Sequence, residues 1–232
     1  MKLLVLCSAV ALAQTPGFEV ASIKPNNSAG GISGIHVTTG RVTMENVSLK
    51  KLTLWAYGIP DDREYALAGP DWLSSEHFDI QASFPADTPM EGVRLRTQAL
   101  LAERFKLALH KESRQLPMYV LVVAKNGPKI HVVEGGSAKT SFRPGHFEAT
   151  KVPMPHFADL LARFMARQVV DETGLNGVFD FTLEWSPEEM KTGDGASLFT
   201  ALQEQLGLKL EARKGPVDVL VVDHIEKTPT EN

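Results

Sequence analysis

The sequence predicts an α+β fold made of two duplicated β-α-β-α-β-β halves, with mostly antiparallel sheets and pseudo-two-fold packing. Stretches of helical and of strand hydrophobic periodicity follow one another along the chain. The same order of patterns then recurs about 100 residues later, which indicates an internal duplication. The 232 residues are 43% hydrophobic and 22% charged, which excludes wholesale disorder, collagen and coiled coil.

The duplication is indicated by blocks that recur with the same spacing. Gly40–Leu52 matches Gly145–Phe157 at an offset of 105, His77–Phe84 matches Val178–Trp185 at 101, and Pro117–Val123 matches Pro216–Val222 at 99. Between the last two blocks, Leu101, Phe105, Leu107 and Leu109 match Leu202, Leu206, Leu208 and Leu210. Because the offset drifts only between blocks, where loops absorb it, we interpret the two regions as copies of one module.

Each element of the first half has its own signal. The first predicted elements are an edge strand Arg41–Asn46, a helix capped by Ser48 and ended by Gly58, and a strand with Phe78, Ile80, Ala82 and Phe84 on one face. They are followed by a helix that begins with a capping box at Thr88–Glu91 and by a hairpin of Lys106–Glu112 with Met118–Ala124. In the second helix, Val93, Thr97, Leu100, Leu101 and Phe105 recur with helical spacing.

The second half repeats this order. The first predicted elements are an edge strand His146–Thr150, a helix with Met154, Phe157, Leu160/Leu161 and Phe164 inward, and a strand with Phe179, Phe181, Leu183 and Trp185 on one face. They are followed by a helix near Ala196–Leu206 ended by Gly207 and by a hairpin of Leu208–Arg213 with Val217–His224 around Lys214–Pro216. Phe18–Lys24 predicts a leading strand, Asn26–Gly34 a loop, and Glu134–Gly145 a connection. We therefore divide the chain into residues 1–13, 14–135, 136–145 and 146–232.

Residues 1–13 have the pattern of a secretory signal peptide. Lys2 precedes an apolar run from Leu3 to Leu12, and Ala11-Leu12-Ala13 is a small-x-small cleavage pattern. The run is too short to span a bilayer, and no later stretch predicts a membrane span. The only cysteine, Cys7, lies inside this segment. We expect a secreted or periplasmic protein whose mature part has neither a disulfide nor a thiol nucleophile.

The charge is modest overall but unevenly distributed. The formal net charge is −4, which argues against a nucleic-acid partner. Residues 94–129 carry a local charge of +6, and residues 171–194 carry −6. Two ordinary solvated faces account for this pattern. The alternatives are docking between the halves, self-association into a homo-oligomer, and an acidic partner.

Motifs of known chemistry are scarce. We find no metal-binding pair of the HExxH type and neither of the two standard phosphate-binding loops, and we expect no cofactor and no metal. Asp79 and Asp180 are equivalent positions that we expect to face away from the core. Asp223 and His224 are neighbours on a strand and point to opposite faces, which argues against a direct acid–base pair. No catalytic residue is assigned.

Aromatic and basic side chains near the first two helices are the candidate ligand-binding residues. Trp55, Tyr57 and Trp72 are more typical of packing anchors, although aromatic rings can also form a ligand shelf. The basic candidates are Arg94, Arg96 and Arg104. The ligand itself is unknown.

Several segments together resemble one known family. They are Phe18–Asn26, Ala56–Gly58, Gly69–Trp72, Phe78–Ile80, Leu101–Leu107, Val122–Lys129, Asp171–Phe181 and Phe199–Leu210. They are similar to a secreted, soil-associated family of acidobacteria, a domain of unknown function that is sometimes attached to membrane metallopeptidase sensors. The resemblance covers nearly the whole chain after the leader. It implies extracytoplasmic sensing or binding and supplies no catalytic residues.

These observations favour an exported, non-catalytic binding module with an unknown protein or small-molecule partner. Strand edges or the groove between the halves are the expected contact surface. One alternative is an extracytoplasmic hydrolase whose site assembles only in the fold, with His156, Asp159, Asp171 and Glu172 as first suspects. The other is a structural envelope protein.

The leader generates a direct prediction. Expression of the full chain in a bacterium with a general secretion pathway should yield an extracytoplasmic product that begins at Gln14, because cleavage follows Ala13. N-terminal sequencing and the intact mass measure this. Ala13→Tyr should block cleavage, whereas Thr15→Ser should not. A product that stays in the cytoplasm with Met1 or Lys2 at its N-terminus would contradict the prediction.

Overall fold

The computed structural model describes residues 17–28, 31–186 and 197–230, so the predicted leader lies outside the described residues. The fold is mixed α+β with mostly antiparallel sheets, which confirms the predicted class. The chain forms two compact units. Of the described residues, unit 1 contains those up to Asp61, Ala68–His110 and those from Val221 onward, and unit 2 contains those within Asp62–Leu67 and Lys111–Leu220. No described helix is long and apolar enough to cross a membrane.

The elements before residue 105 mostly belong to unit 1. In order they are β1 (Val20–Pro25), β2 (Gly34–Thr38), β3 (Arg41–Ser48), α1 (Leu49–Ala56), β4 (Leu67–Ala68), β5 (His77–Ser83) and α2 (Met90–Arg104), with short 3₁₀ turns at Glu64–Ala66 and Asp71–Ser74. Four of the strands form an antiparallel sheet in the order β1-β5-β3-β2. The helices α1 and α2 contribute to the same hydrophobic core as this sheet.

The remaining elements begin with a strand that runs from unit 1 into unit 2. They are β6 (Ala108–Val123), β7 (Val132–Val133), β8 (Lys139–Arg143), β9 (His146–Val152), α3 (Met154–Met165), β10 (Val169–Asp171), β11 (Val178–Glu184), α4 (Leu198–Ala201) with a π-helical turn at Leu202–Leu206, and β12 (Leu208–His224). The antiparallel sheet of unit 2 has the order β7-β11-β9-β8. A third sheet has the order β10-β6-β12-β4, in which β10 pairs with β6 in parallel.

The predicted faces of the strands are confirmed, but Phe164, which was predicted to face inward on α3, is exposed and its ring contacts the exposed ring of Phe142 on β8. Phe78, Ile80 and Ala82 are buried on β5, as are Phe179, Phe181 and Leu183 on β11. The helix α1 begins where the sequence predicts, because the Ser48 side chain accepts a hydrogen bond from the Lys51 N–H at 3.2 Å. These periodicities are set by the burial of one face, so a shift of one residue would expose every apolar side chain on the strand.

The strands predicted at Arg41 and His146 are not edge strands. β2 and β8 pair with them through two-residue turns at Thr39-Gly40 and Pro144-Gly145, so β3 and β9 lie inside their sheets. Gly40 and Gly145 have φ of 74° and 78°, a conformation that glycine adopts without strain. Consequently β2 begins at the end of the predicted loop 26–34, and β8 lies within the predicted connection 136–145.

Both predicted hairpins are wrong. β6 runs unbroken through Pro117, and β12 runs unbroken through Gly215 and Pro216. Gly215 keeps an extended backbone instead of turning. A Cβ at this position would collide with the Met118 sulfur, so close packing, rather than a turn, explains why glycine occupies it.

The predicted capping box is also wrong. The helix α2 starts at Met90, one residue later than predicted, and no side chain caps its first turn. The Thr88 N–H instead donates to the Pro85 carbonyl at 3.0 Å, which closes a turn before the helix. The backbone of Thr88 therefore belongs to the preceding turn, and Pro89 is the N-cap residue of α2.

The compact units do not coincide with the predicted halves 14–135 and 146–232, because the ends of the two long strands belong to different cores. Val222 and Ile225 pack against the core of unit 1, whereas Leu121 and Ile130 lie in the core of unit 2. The backbone follows the same division. In unit 1 the Glu226 N–H donates to the Phe105 carbonyl at 2.7 Å, beside the end of α2.

Both antiparallel sheets contain an irregularity that an aspartate stabilises. Asn46 and Lys151 have φ of 48° and 54°, and their N–H groups donate to Asp79 at 2.8 Å and Asp180 at 2.6 Å. Asp79 also accepts a hydrogen bond from the Asn26 side chain at 2.9 Å. These carboxylates therefore bind backbone groups that the disrupted strand pairing leaves free.

Asp79 should stabilise unit 1 in a pH-dependent manner. The Asn46 N–H and then the Asn26 amide hold the pKa of Asp79 below its ordinary value, so the carboxylate favours the folded state. Asp79→Ala should lower the free energy of unfolding by about 1 kcal/mol at pH 7, because the Asn46 N–H loses its acceptor. That difference is present above the unfolded pKa and is lost as the pH falls through the lower folded pKa.

Urea titrations at pH 7 and pH 3, followed by tryptophan fluorescence, measure this effect. Asp87→Ala is the matched control, because Asp87 is exposed on the loop that follows β5. An equal loss for the two variants at pH 7, or a difference that grows in acid, would show that the Asp79 contacts contribute nothing.

A chain that ends at Leu220 should lose the stability of unit 1. It lacks Val222 and Ile225 and leaves the Phe105 carbonyl without its N–H donor. Loss of two apolar side chains that are partly buried against a core should cost on the order of 2 kcal/mol. Urea unfolding and amide exchange of α2 measure this loss. A chain that ends at Thr228 keeps Ile225 and Glu226 and should remain close to the full chain. Equal stability of both truncated chains would contradict the prediction.

Candidate functional site

A cleft of about 350 Å³ lies beside the end of α1 in unit 1. Its lining residues are Ile35, Lys51, Trp55, Gly58, Ile59, Pro60, Asp61 and Arg94, and we call it the Trp55–Arg94 cleft. Two of the six candidate ligand-binding residues, Trp55 and Arg94, thus line one concave surface. The cleft combines apolar walls with a few charged groups, as ligand sites usually do.

The way in which α1 ends builds one wall of this cleft. Gly58 has φ of 71°, the Gly58 N–H donates to the Trp55 carbonyl at 3.0 Å, and the Ile59 N–H donates to the Leu54 carbonyl at 2.9 Å. This pair of bonds is the Schellman motif, in which a left-handed glycine turns the chain away from the helix. Ile59, Pro60 and Asp61 follow directly and line the cleft.

Arg94 lies on α2 against this turn. One terminal nitrogen, Nη1, is 3.0 Å from the place that a Cβ of residue 58 would occupy, so a larger residue there would shift the guanidinium by a few tenths of an ångström. One turn later on α2, the Gln98 side chain donates to the Ala56 carbonyl at 2.8 Å and fixes α2 against the end of α1. The position of Arg94 is therefore set by both helices.

The charges of the cleft are not balanced. Lys51 Nζ and the Asp61 carboxylate form an ion pair at 3.3 Å. Arg94 forms no ion pair with any described residue, and its Nε–H is buried without a hydrogen-bond acceptor. Buried donors are normally satisfied, and the Nε–H groups of Arg63 and Arg96 are also buried without an acceptor. Of these three arginines only Arg94 lines the cleft, and its unpaired charge gives the cleft a net positive charge.

The other candidate ligand-binding residues do not line the cleft. Tyr57 and Trp72 pack against the core of unit 1, and burial raises the pKa of the Tyr57 hydroxyl. Arg96 Nη1 donates weakly to the Gly92 carbonyl at 3.5 Å, one turn back on α2. Arg104 Nη1 donates to the Thr230 carbonyl at 3.2 Å and so contacts the C-terminal segment.

The four residues suspected of hydrolysis do not converge on one site. Asp159 pairs with Arg63 at 3.0 Å, Glu172 pairs with Arg213 at 2.7 Å, and His156 is exposed on α3. Asp171 accepts hydrogen bonds from the N–H and hydroxyl of Thr173, which closes a local turn. Asp171 and Glu172 line a second, shallow cleft of about 530 Å³, and neither His156 nor Asp159 lines it.

Sequence reasoning missed one acid–base pair. Asp223 does not act with its neighbour His224 but accepts a hydrogen bond from His110 Nδ1, with distances of 2.8 and 3.0 Å to its two oxygens. Both side chains are about half exposed. The pair joins the start of β6 to the end of β12, and only the pairing of these two distant strands could have revealed it. In the described part of the chain, no group of three or more His, Cys, Asp or Glu side chains is placed to hold a metal ion.

Comparison with known proteins gives one result. No curated protein and no solved structure matches the chain. A protein family described as "Protein of unknown function (DUF3738)" matches residues 50–225, which is more than half of the chain and includes most of the Trp55–Arg94 cleft. The chain therefore belongs to the DUF3738 family.

Proposed function

We propose that this protein is a non-catalytic binding module whose ligand site is the Trp55–Arg94 cleft. The observation that carries the proposal is the partly buried Arg94, which has no partner among the described residues and lies in the same cleft as Trp55, Ile59 and Pro60. A buried donor without an acceptor costs free energy, which a bound ligand would recover in part. The apolar walls supply the remaining contact area.

The contacts of the suspected hydrolytic residues support a non-catalytic role. Asp159 and Glu172 are held in ion pairs with arginines, and Asp171 stabilises a turn. A general acid or base needs a substrate within hydrogen-bond reach and a pKa suited to proton transfer. These carboxylates instead have local structural partners, so we favour binding over hydrolysis.

We further propose that the two antiparallel sheets descend from one duplicated module, although the hairpin predicted at the end of each copy is a single long strand. The strand orders β1-β5-β3-β2 and β7-β11-β9-β8 correspond strand for strand. Asp79 and Asp180, which the sequence alignment makes equivalent, each accept an N–H from a residue with positive φ at equivalent positions. Such agreement in a local irregularity supports common descent more strongly than shared hydrophobic periodicity. The pseudo-two-fold packing of the halves stays a prediction.

The binding function would operate outside the cytoplasm. The leader-like residues 1–13 support export, and the resemblance to secreted acidobacterial proteins supports the same location. Attachment of similar domains to membrane metallopeptidase sensors suggests that ligand binding serves extracytoplasmic sensing. Three further predictions from the sequence also stand: a homo-oligomer, a protein partner and, as an alternative function, a structural role in the envelope.

A fragment screen by NMR tests the proposed site. The full chain labelled with ¹⁵N has three tryptophan indole N–H signals, which single Trp→Phe variants assign. Compounds that bind should shift the Trp55 indole and the amides of Gly58 and Ile59, and should leave the Trp185 indole unchanged. Trp55→Ala should weaken binding about tenfold or more, whereas Trp185→Ala removes an indole from unit 2 and should not.

Trp55→Phe serves as a second variant, because it keeps most of the packing against the core of unit 1. Binding compounds whose shifts lie in unit 2 would place the site elsewhere. A screen without any binding compound, together with turnover of a substrate by the same preparation, would overturn the proposal in favour of an enzyme.

A further inference from the structure

The charge of the Trp55–Arg94 cleft selects one class of ligand. Two cations, Lys51 and Arg94, and one anion, Asp61, line it. The Lys51–Asp61 ion pair neutralises two of these charges, and Arg94 is the remaining one. A single unpaired guanidinium attracts an anion, and the planar fork of its N–H groups suits a carboxylate with two parallel hydrogen bonds.

The rest of the lining limits what else the ligand can carry. Ile35, Trp55, Ile59 and Pro60 form apolar walls, and the volume of about 350 Å³ lies at the small end of the range for ligand sites. A phosphate or sulfate ester would bring more negative charge than one arginine offsets, and it would lose its hydration beside apolar walls. A monoanion with a ring or short hydrocarbon chain fits both constraints.

We infer that the Trp55–Arg94 cleft binds small amphipathic carboxylates, with the carboxylate on Arg94 and the apolar part against Trp55. The inference rests on the proposed function, to which it adds the class of ligand and the specificity-determining residue. Gly58 contributes to this arrangement, because a Cβ at residue 58 would lie 3.0 Å from Arg94 Nη1. Gln98 acts as a positioning residue through its bond to Ala56, one turn from Arg94.

The test compares two probes of nearly equal shape, 3-phenylpropionate and its amide, 3-phenylpropionamide. Each is titrated into the full chain while the Trp55 indole signal is followed. The carboxylate should bind about tenfold more tightly than the amide, because a charge-assisted hydrogen bond is stronger than a neutral one. Its affinity should fall as salt is added, and the affinity of the amide should not.

Arg94→Met keeps the length of the side chain and removes its charge. This variant should bind the two probes equally, at the level that the wild-type protein shows for the amide. Arg96→Met is the matched control, because Arg96 lies on the same helix but does not line the cleft, and it should retain the preference for the carboxylate. If Arg94→Met fails to fold, Arg94→Gln provides the same comparison.

The outcomes separate this inference from the proposed function. Equal binding of both probes to the wild-type protein, or a carboxylate preference that survives in Arg94→Met, overturns the inference and leaves a binding cleft in place. Failure of both probes to perturb the Trp55 indole at millimolar concentration also overturns the inference, and the fragment screen then decides the proposed function. Loss of the preference in Arg94→Met alone supports it.

Discussion

The fold depends on how the two long strands complete two separate cores. In each unit, a helix end and part of the core are contacted by residues outside the antiparallel sheet and its helices. In unit 1 these are covered by Val222, Ile225 and the Glu226 N–H, which arrive at the end of the chain. In unit 2, Leu121 and Ile130 complete the core, and the Lys129 N–H donates to the Leu206 carbonyl at 2.9 Å. Since uncovered apolar surface and unpaired carbonyls both cost free energy, unit 1 depends on residues distant in the sequence, whereas unit 2 obtains these contacts from its own segment Lys111–Leu220.

Local patterns in the sequence account for most of the helices and inner strands. The incorrect predictions mostly concern contacts between residues that are distant in the sequence. Hydrophobic periodicity gives the buried faces of β5 and β11, and the Ser48 cap and the Gly58 and Gly207 ends follow from short-range chemistry. The hairpins at residues 112–118 and 213–217 were predicted because proline and glycine are typical of turns. In the fold, Gly215 makes room for Met118, a contact between residues almost 100 positions apart that no local pattern can reveal. The exposed edge strand β8 was missed because it has little apolar periodicity, and β2 was missed because it is short and only Ile35 and Val37 pack against the core.

The candidate site, too, is predicted only in part by local patterns in the sequence. The sequence identifies Trp55 and Arg94 as residues of interest one by one, from their chemistry. Their common position depends on the Schellman turn at Gly58 and on the packing of α2 against the end of α1 through Gln98 and Ala56. The sequence does not distinguish Arg94 from Arg96 or Arg104, since all three lie on one basic helix. The structure distinguishes them, because Arg96 contacts its own helix and Arg104 contacts the C-terminal segment, whereas Arg94 faces the cleft.

The late arrival of Val222 and Ile225 has a consequence for how the protein is made. During synthesis the buried residues of the unit 1 core, from Val42 to Leu107, emerge first, and the partly buried Val222 and Ile225 that pack against them emerge much later. Domains usually fold as units while the chain grows, but here part of the apolar surface of the first unit waits for residues made later. Until then this surface is exposed to water and available for unwanted association with other nascent chains.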